Sequence, residues 1–197
     1  MRTWRCRGEG DALRICSNLE SYECQLIASM VGSTSEILAE RASTAPRDPL
    51  SEITGIVTGH TEAPGDPTLG RLLPDFHRPD QDETPSADTL TGDLNGALRS
   101  LNEPAIIDQK LAAAGVVLDT LPEGGGDIAL TVAQADGWLT ALNDVRLALG
   151  AMLGVTDEPV DLDPDDPRAA HLDVYDWLTV VQELLVEALM GGVSAQD

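Results

Sequence analysis

A chain of 197 residues with 42% apolar content is long enough to bury a core and too apolar to be disordered. Its 34 acidic residues stand against 12 basic ones, Lys110 being the only lysine, for a net charge of −22. That balance argues against direct nucleic-acid binding, which depends on cations neutralising phosphates, and against anionic membrane surfaces, while it suits a basic protein partner.

The N-terminal stretch "MRTWRCRGEGD" carries positive charge without an apolar segment behind it, so it does not read as a signal peptide. No stretch reaches the roughly 18 apolar residues of a membrane span. Three cysteines do not make a secreted disulfide framework, and a cytoplasmic location with reduced thiols is the expectation.

Residues 2–16 read as a β-hairpin. Trp4 and Cys6 alternate with Thr3, Arg5 and Arg7, and Leu13 and Ile15 alternate with Arg14 and Cys16. Taking Glu9-Gly10 as a two-residue turn sets Cys6 opposite Leu13 and Trp4 opposite Ile15, giving one apolar and one arginine-rich face. Ser17 and Glu20 have capping-box spacing and predict a helix to about Arg41. Its apolar stripe is read as Leu19, Leu26, Met30, Ile37 and Leu38, with Ile27 at the edge.

Seven prolines between residues 42 and 90 forbid long helices there. Short helical turns are expected at "PLSEI" and at "DPTLGRLL", where Asp66 caps and Pro67 takes the first helical position. The polar stretch "RPDQDETPSADT", about 78–90, reads as a mobile loop. Helical periodicity resumes near Thr89, breaks at "NEP", and restarts under an Asn102 cap from about Pro104 to Leu121. "PEGGGDIALT" is a loop followed by a short strand that joins the hairpin. Thr131 and Gln134 open a helix to about Leu153, with Gly154 just beyond. After the acidic "TDEPVDLDPDDP", Asp166-Pro167 starts a last helix ending near Met190, before Gly191-Gly192. The sum is a mainly α fold with four long helices and a small antiparallel sheet, one domain over 1–192 with a tail at 193–197.

Little in this pattern carries chemistry. Glycines 124–126 precede a strand and no cation follows, so they are not a phosphate loop. Asp161, Asp163 and Asp165 alternate like calcium ligands, but the sixth position is Asp166 rather than glycine and the twelfth is Leu172 rather than glutamate. His60, His77 and His171 form no zinc element. Carboxylates are too abundant for any pair to be singled out as acid and base, so no enzyme, metal or cofactor is expected.

Arg146 stands among Leu139, Leu142, Leu149 and Leu153 on its helix, and needs a carboxylate or access to water. Asp176 and Glu183 on the last helix are its candidate partners in a structural ion pair. That last helix is apolar over a wide arc, which places it in the core and leaves room for a homo-oligomer.

The cysteines are the remaining candidates. In the hairpin register above, Cys6 and Cys16 project from opposite faces, three residues out of pairing, or roughly 10 Å along a strand. Disulfide geometry needs Cα atoms within about 7 Å and converging Cβ vectors. Cys6–Cys24 is then the better pair, Cys24 lying at the flank of the first helix. Inert packing of all three is the other reading.

The segments "MRTWRCRG", "DPLSEITGI", "GDPTLGRLLPDF", "WLTALNDVRLALGAMLGV" and "VYDWLTVVQELLV" resemble, in order, an actinobacterial family first described as a domain of unknown function, the AosR group of oxidative-stress regulators. The resemblance implies a redox-responsive transcriptional regulator. It implies action through contacts with an alternative sigma factor or RNA polymerase component, and a part in cysteine supply. The redox chemistry of that group uses a Cys-x-x-x-Cys pair. Here Gly10 stands four residues after Cys6, so only Cys6 lies in the matching region.

Overall fold

The computed structural model describes residues 3–46, 55, 57–77, 87–155 and 166–194. Strands β1 (Arg5–Arg7), β2 (Arg14–Leu19) and β3 (Gly126–Leu130) form one antiparallel sheet in the order β1-β2-β3. Among the described residues there are five helices: α1 (Ser21–Ser43), α2 (Pro67–Leu72), α3 (Ala87–Thr120), α4 (Val132–Leu153) and α5 (Ala169–Ser194). The expected mainly helical class with four long helices and a third strand is what the chain adopts.

The hairpin register differs from the expectation by two residues. Cys6 pairs with Ile15 rather than Leu13, and Arg7 pairs with Arg14. The connection is not a two-residue turn at Glu9-Gly10 but a longer one containing a turn of 3-10 helix at Gly10–Ala12. Gly8 makes it possible: its φ is +83°, and a Cβ there would lie 2.5 Å from the Ala12 carbonyl oxygen. A slip of two keeps every side chain on its own face, since strand periodicity is also two. Ile15, Leu19, Ile128 and Leu130 therefore point into the core, while Arg5, Arg7 and Ala129 are exposed on the other side.

The capping box expected at Ser17 and Glu20 sits three residues later. Ser17 stays in β2 opposite Ile128, and the Glu20 N–H donates to Glu23 Oε2 at 2.8 Å. The positions that face inward also differ from the expected stripe. The buried line is Glu23, Cys24, Ile27, Val31, Thr34 and Leu38, whereas Leu26, Met30 and Ile37 are half-buried. Ile27 is central rather than marginal, and Cys24 lies within the buried line rather than at its flank. Gly125 lets the entry to β3 pass this helix start: at φ +88°, a Cβ would come within 2.6 Å of the Ser21 nitrogen.

At Pro104 the structure departs furthest from the pattern. Instead of two helices broken at "NEP", α3 runs unbroken with the proline inside it. Proline cannot donate to the carbonyl four residues back and normally costs about 3 kcal/mol in a helix interior. Here the orphaned Ser100 carbonyl accepts from the Gly59 N–H at 2.7 Å. Gly59 lies so close that a Cβ on it would be 3.0 Å from the ring carbons of Pro104. Asn102 caps nothing; its side-chain amide donates back to the Leu98 carbonyl at 2.7 Å.

The predicted starts of α2 and α4 are present. Asp66 Oδ1 accepts from the Leu69 N–H at 2.9 Å, and Thr131 and Gln134 cap each other reciprocally. Gly154 closes α4 in the left-handed region, at φ +68°. The last helix begins at Ala169, after a turn at Asp166–Arg168, and passes through Gly191-Gly192 to Ser194 instead of stopping near Met190. The "PLSEI" turn, most of the acidic loop and residues 78–86 of the expected mobile loop lie outside the described residues, as do Asp161, Asp163 and Asp165.

Helix α4 is the hub. It packs on α1, α2, α3 and α5 and against β2 and β3, while α5 also covers β1. The main core joins Ile15, Leu19, Ile27, Val117, Trp138, Leu142, Leu178 and Leu185. Trp4 meets Trp138 edge-on at 5.8 Å, and the Trp138 Nε1–H donates to Thr120 Oγ1 at 2.7 Å, satisfying the polar end of a fully buried ring. A second cluster gathers Leu38, Leu72, Leu73, Ile107 and Ala148.

Candidate functional site

The sheet separates the cysteines. Arg5 is the register partner of Cys16, and Cys6 that of Ile15, so the two thiols lie on opposite faces and cannot pair through the strands. Cys6 is half-buried, and its Sγ–H donates to the Ala188 carbonyl of α5 at 2.7 Å. The last helix lies over Cys6, where the sequence pattern suggested the first. Cys24 is buried in α1, and burial pushes its pKa up, with the Glu23 carboxylate adding to the effect. A thiol held protonated in this way is a poor nucleophile. All three thiols are free.

Cys16 is the thiol on the open face. It sits mid-sheet, half-buried, between Arg5 on one neighbouring strand and Ala129 on the other. Thr3, Arg5, Arg7, Cys16, Asn18, Asp127 and Ala129 line a groove of about 570 Å³ across this face. Asn18 Nδ2 donates to Asp127 Oδ1 at 2.8 Å and fixes the far end. The Arg14 guanidinium turns to the Asp11 and Leu13 carbonyls, at 2.9 and 2.8 Å.

Arg146 does find a partner on α5, but not the expected one. Its Nη1–H donates to Gln182 Oε1 at 2.6 Å, and its guanidinium carbon lies 5.3 Å from the Tyr175 ring centre. Asp176 and Glu183 are both exposed, and no ion pair joins either to Arg146 among the described residues. One residue is about 100° on a helix, enough to turn Glu183 outward while Gln182 faces in. A polar neutral partner and an aromatic face replace the predicted carboxylates.

A buried charge network lies beyond what the sequence pattern suggests. Arg99 is 1% exposed, and it donates to Glu103 Oε2 at 2.8 Å, Asp75 Oδ1 at 2.7 Å and the Leu73 carbonyl at 3.1 Å. Arg41 reaches the other Glu103 oxygen at 2.8 Å. These bonds clamp the segment after α2 onto α3 and α1. The i, i+4 spacing of Arg99 and Glu103 is its only local signal; Asp75 and Arg41 are distant in sequence. Lys110 likewise pairs with buried Asp144 of α4.

His60 and His77 take structural places, and His171 is exposed. His60 Nε2 bonds with the Arg41 carbonyl oxygen at 3.0 Å, and the backbone of His77 is held from both sides by the Asn95 amide. Among the described residues no cluster of His, Cys, Asp or Glu is arranged to hold a metal ion, and no helix is long and apolar enough to cross a membrane.

Over residues 1–189 the sequence matches DUF2017, a family described as a domain of unknown function. The chain belongs to this family. It is 48% identical over 194 residues to the oxidative stress regulator AosR of Mycobacterium tuberculosis strain H37Rv, covering 97% of this chain and 89% of that protein. The protein of the same name from Mycobacterium bovis matches at the same identity and coverage. No solved structure matches the chain. The likeness read from five segments thus extends along nearly the whole sequence. Within the family fold the position four residues after Cys6 is held here by Gly10, which opens the 3-10 turn with φ +55°.

Proposed function

We propose that this protein is a regulator in the oxidative-stress response that works by contacting other proteins, an alternative sigma factor or RNA polymerase component foremost, in a programme that includes cysteine supply. The observation that carries the reading is the 48% identity to proteins named oxidative stress regulators, sustained over 97% of the chain. The charge of −22 supports protein contacts over direct nucleic-acid contact. Single thiols, not an internal disulfide, are the redox input in this reading, since Cys6 and Cys16 are kept apart by the sheet and Cys24 is buried.

The test is capture of partners by the full chain from oxidised and reduced lysates, read by mass spectrometry. A transcription component recovered in one redox state, and lost when all three cysteines are serine, is the expected outcome. Recovery of no transcription component in either state overturns the reading. Capture that ignores both redox state and the serine substitutions would instead establish a redox-independent adaptor, a reading favoured by the absence of any cysteine pair.

A further inference from the structure

We propose that the outer face of the sheet is an S-thiolation site, in which Cys16 forms a mixed disulfide with a small carboxylate-bearing thiol held by Arg5 and Arg7. The proposal rests on the reading of the protein as an oxidative-stress regulator and gives that role a chemical input.

Charge is the first argument. Four of the twelve cations of this acidic chain fall within its first fourteen residues. The hairpin puts Arg5 and Arg7 on one surface, Arg5 opposite Cys16, while Arg14, opposite Arg7, turns its guanidinium to the Asp11 and Leu13 carbonyls. Like charges paired across strands are destabilising, so the fold gains nothing from this placement by itself. Of the six other cations among the described residues, Arg41 and Arg99 are matched with Glu103, Lys110 with Asp144 and Arg168 with Asp166, whereas Arg146 meets the neutral Gln182 and Arg71 makes no ion pair among the described residues. Arg5 and Arg7 make no ion pair among the described residues, and both are exposed toward the groove. An anion seated there relieves the repulsion.

Size and polarity narrow the occupant. A groove of about 570 Å³ is the size of a small-molecule site. Guanidiniums line one end, and the Asp127 carboxylate, held by Asn18, lines the other. That polarity fits a peptide-like thiol with carboxylates at the Arg5 and Arg7 end and an ammonium toward Asp127. Cys16 is the one cysteine among the lining residues.

The reaction is thiol–disulfide exchange. The Cys16 thiolate attacks one sulfur of the symmetric disulfide; a new S–S bond forms as the old one breaks, and the leaving thiolate takes a proton from water. The incoming disulfide is the oxidant, no other is needed, and a second molecule of the small thiol reverses the step.

Three small disulfides serve as probes on the full-length protein: oxidised glutathione (anionic), hydroxyethyl disulfide (neutral) and cystamine (cationic). Intact mass follows the rate, and peptide mapping gives the site. Oxidised glutathione is expected to label Cys16 first, about tenfold faster than cystamine, the low end of electrostatic steering. Arg5→Gln with Arg7→Gln should abolish that preference, while the neutral disulfide reacts with Cys16 as before, showing that the sheet is intact. First labelling at Cys6 or Cys24, equal rates for the charged probes, or a preference that survives loss of both arginines overturns the proposal. Its failure is separable from that of the regulatory reading. Redox-dependent partner capture that persists in Cys16→Ser sinks this inference alone. Charge-selective thiolation of a protein that captures no transcription component sinks the broader one.

Discussion

Lys110 and Asp144 show how one pair ties stability to pH. Asp144 is 4% exposed on α4, and burial raises its pKa from its ordinary value, with Lys110 pulling the other way without cancelling the effect. A raised folded-state pKa means that the folded chain binds this proton more tightly. The stabilising contribution is present below the unfolded value, about 4, and is lost as pH rises through the folded one. Lys110→Met leaves the buried carboxylate without its cation and should cost about 3 kcal/mol at neutral pH. The deficit should shrink at acidic pH as Asp144 takes up a proton, and Asp144→Asn on that background should restore most of the loss. Urea melts at the two pH values decide the matter; a deficit that does not change with pH removes Asp144 as its origin. Glu103 sits between two arginines. Its carboxylate bridges Arg41 and Arg99, so Glu103→Ala should cost about 3–5 kcal/mol in equilibrium unfolding. A cost below about 1 kcal/mol would show that water reaches Arg99.

At the scale of elements, Pro104 is the case where local sequence and fold disagree. A proline preceded by Asn and Glu reads as a boundary, and would be one if the Ser100 carbonyl had to remain unpaired. The Gly59 N–H removes that penalty from outside the helix. Pro104→Ala should therefore gain less than about 1 kcal/mol, against the roughly 3 kcal/mol of an ordinary helix interior. The new N–H would compete for a carbonyl already taken and would give up the ring that packs on Gly59. Thermal unfolding of the variant measures this, and a gain near the full value would mean that the Gly59 bond contributes nothing. The hairpin makes a complementary point. Its faces were legible from alternation in "RTWRCR" and "LRICS", because a side chain's face depends only on odd or even position. Its register was not, because that depends on the length and shape of the connection.

Across the whole molecule, the excess of acidic over basic residues acts on every part of the fold. A net −22 over 197 residues opposes compaction through self-repulsion, and the matched cations inside offset only part of it. Because exposed charges are screened over about 10 Å at 0.1 M salt, raising sodium chloride from low to moderate concentration should increase the melting temperature by about 2–4 °C. A melting temperature that falls with salt would mean that the ion pairs around Glu103 and Asp144 outweigh the surface repulsion.

By itself the sequence determined what nearest neighbours can enforce. It set the inward and outward faces of the strands, the caps at Asp66 and Thr131, the stop at Gly154, and an acidic composition with four of its eleven arginines in the first fourteen residues. Those features depend on positions a few residues apart, where geometry leaves little choice. Tertiary structure decided everything that needs a partner from far along the chain. It brought α5 rather than α1 over Cys6, let Gly59 carry α3 through its proline, buried Arg99 among three segments, and left Cys16 on the uncovered face. A buried charge or an unbroken helix is stable only when a distant group completes it, and no local spacing encodes that group.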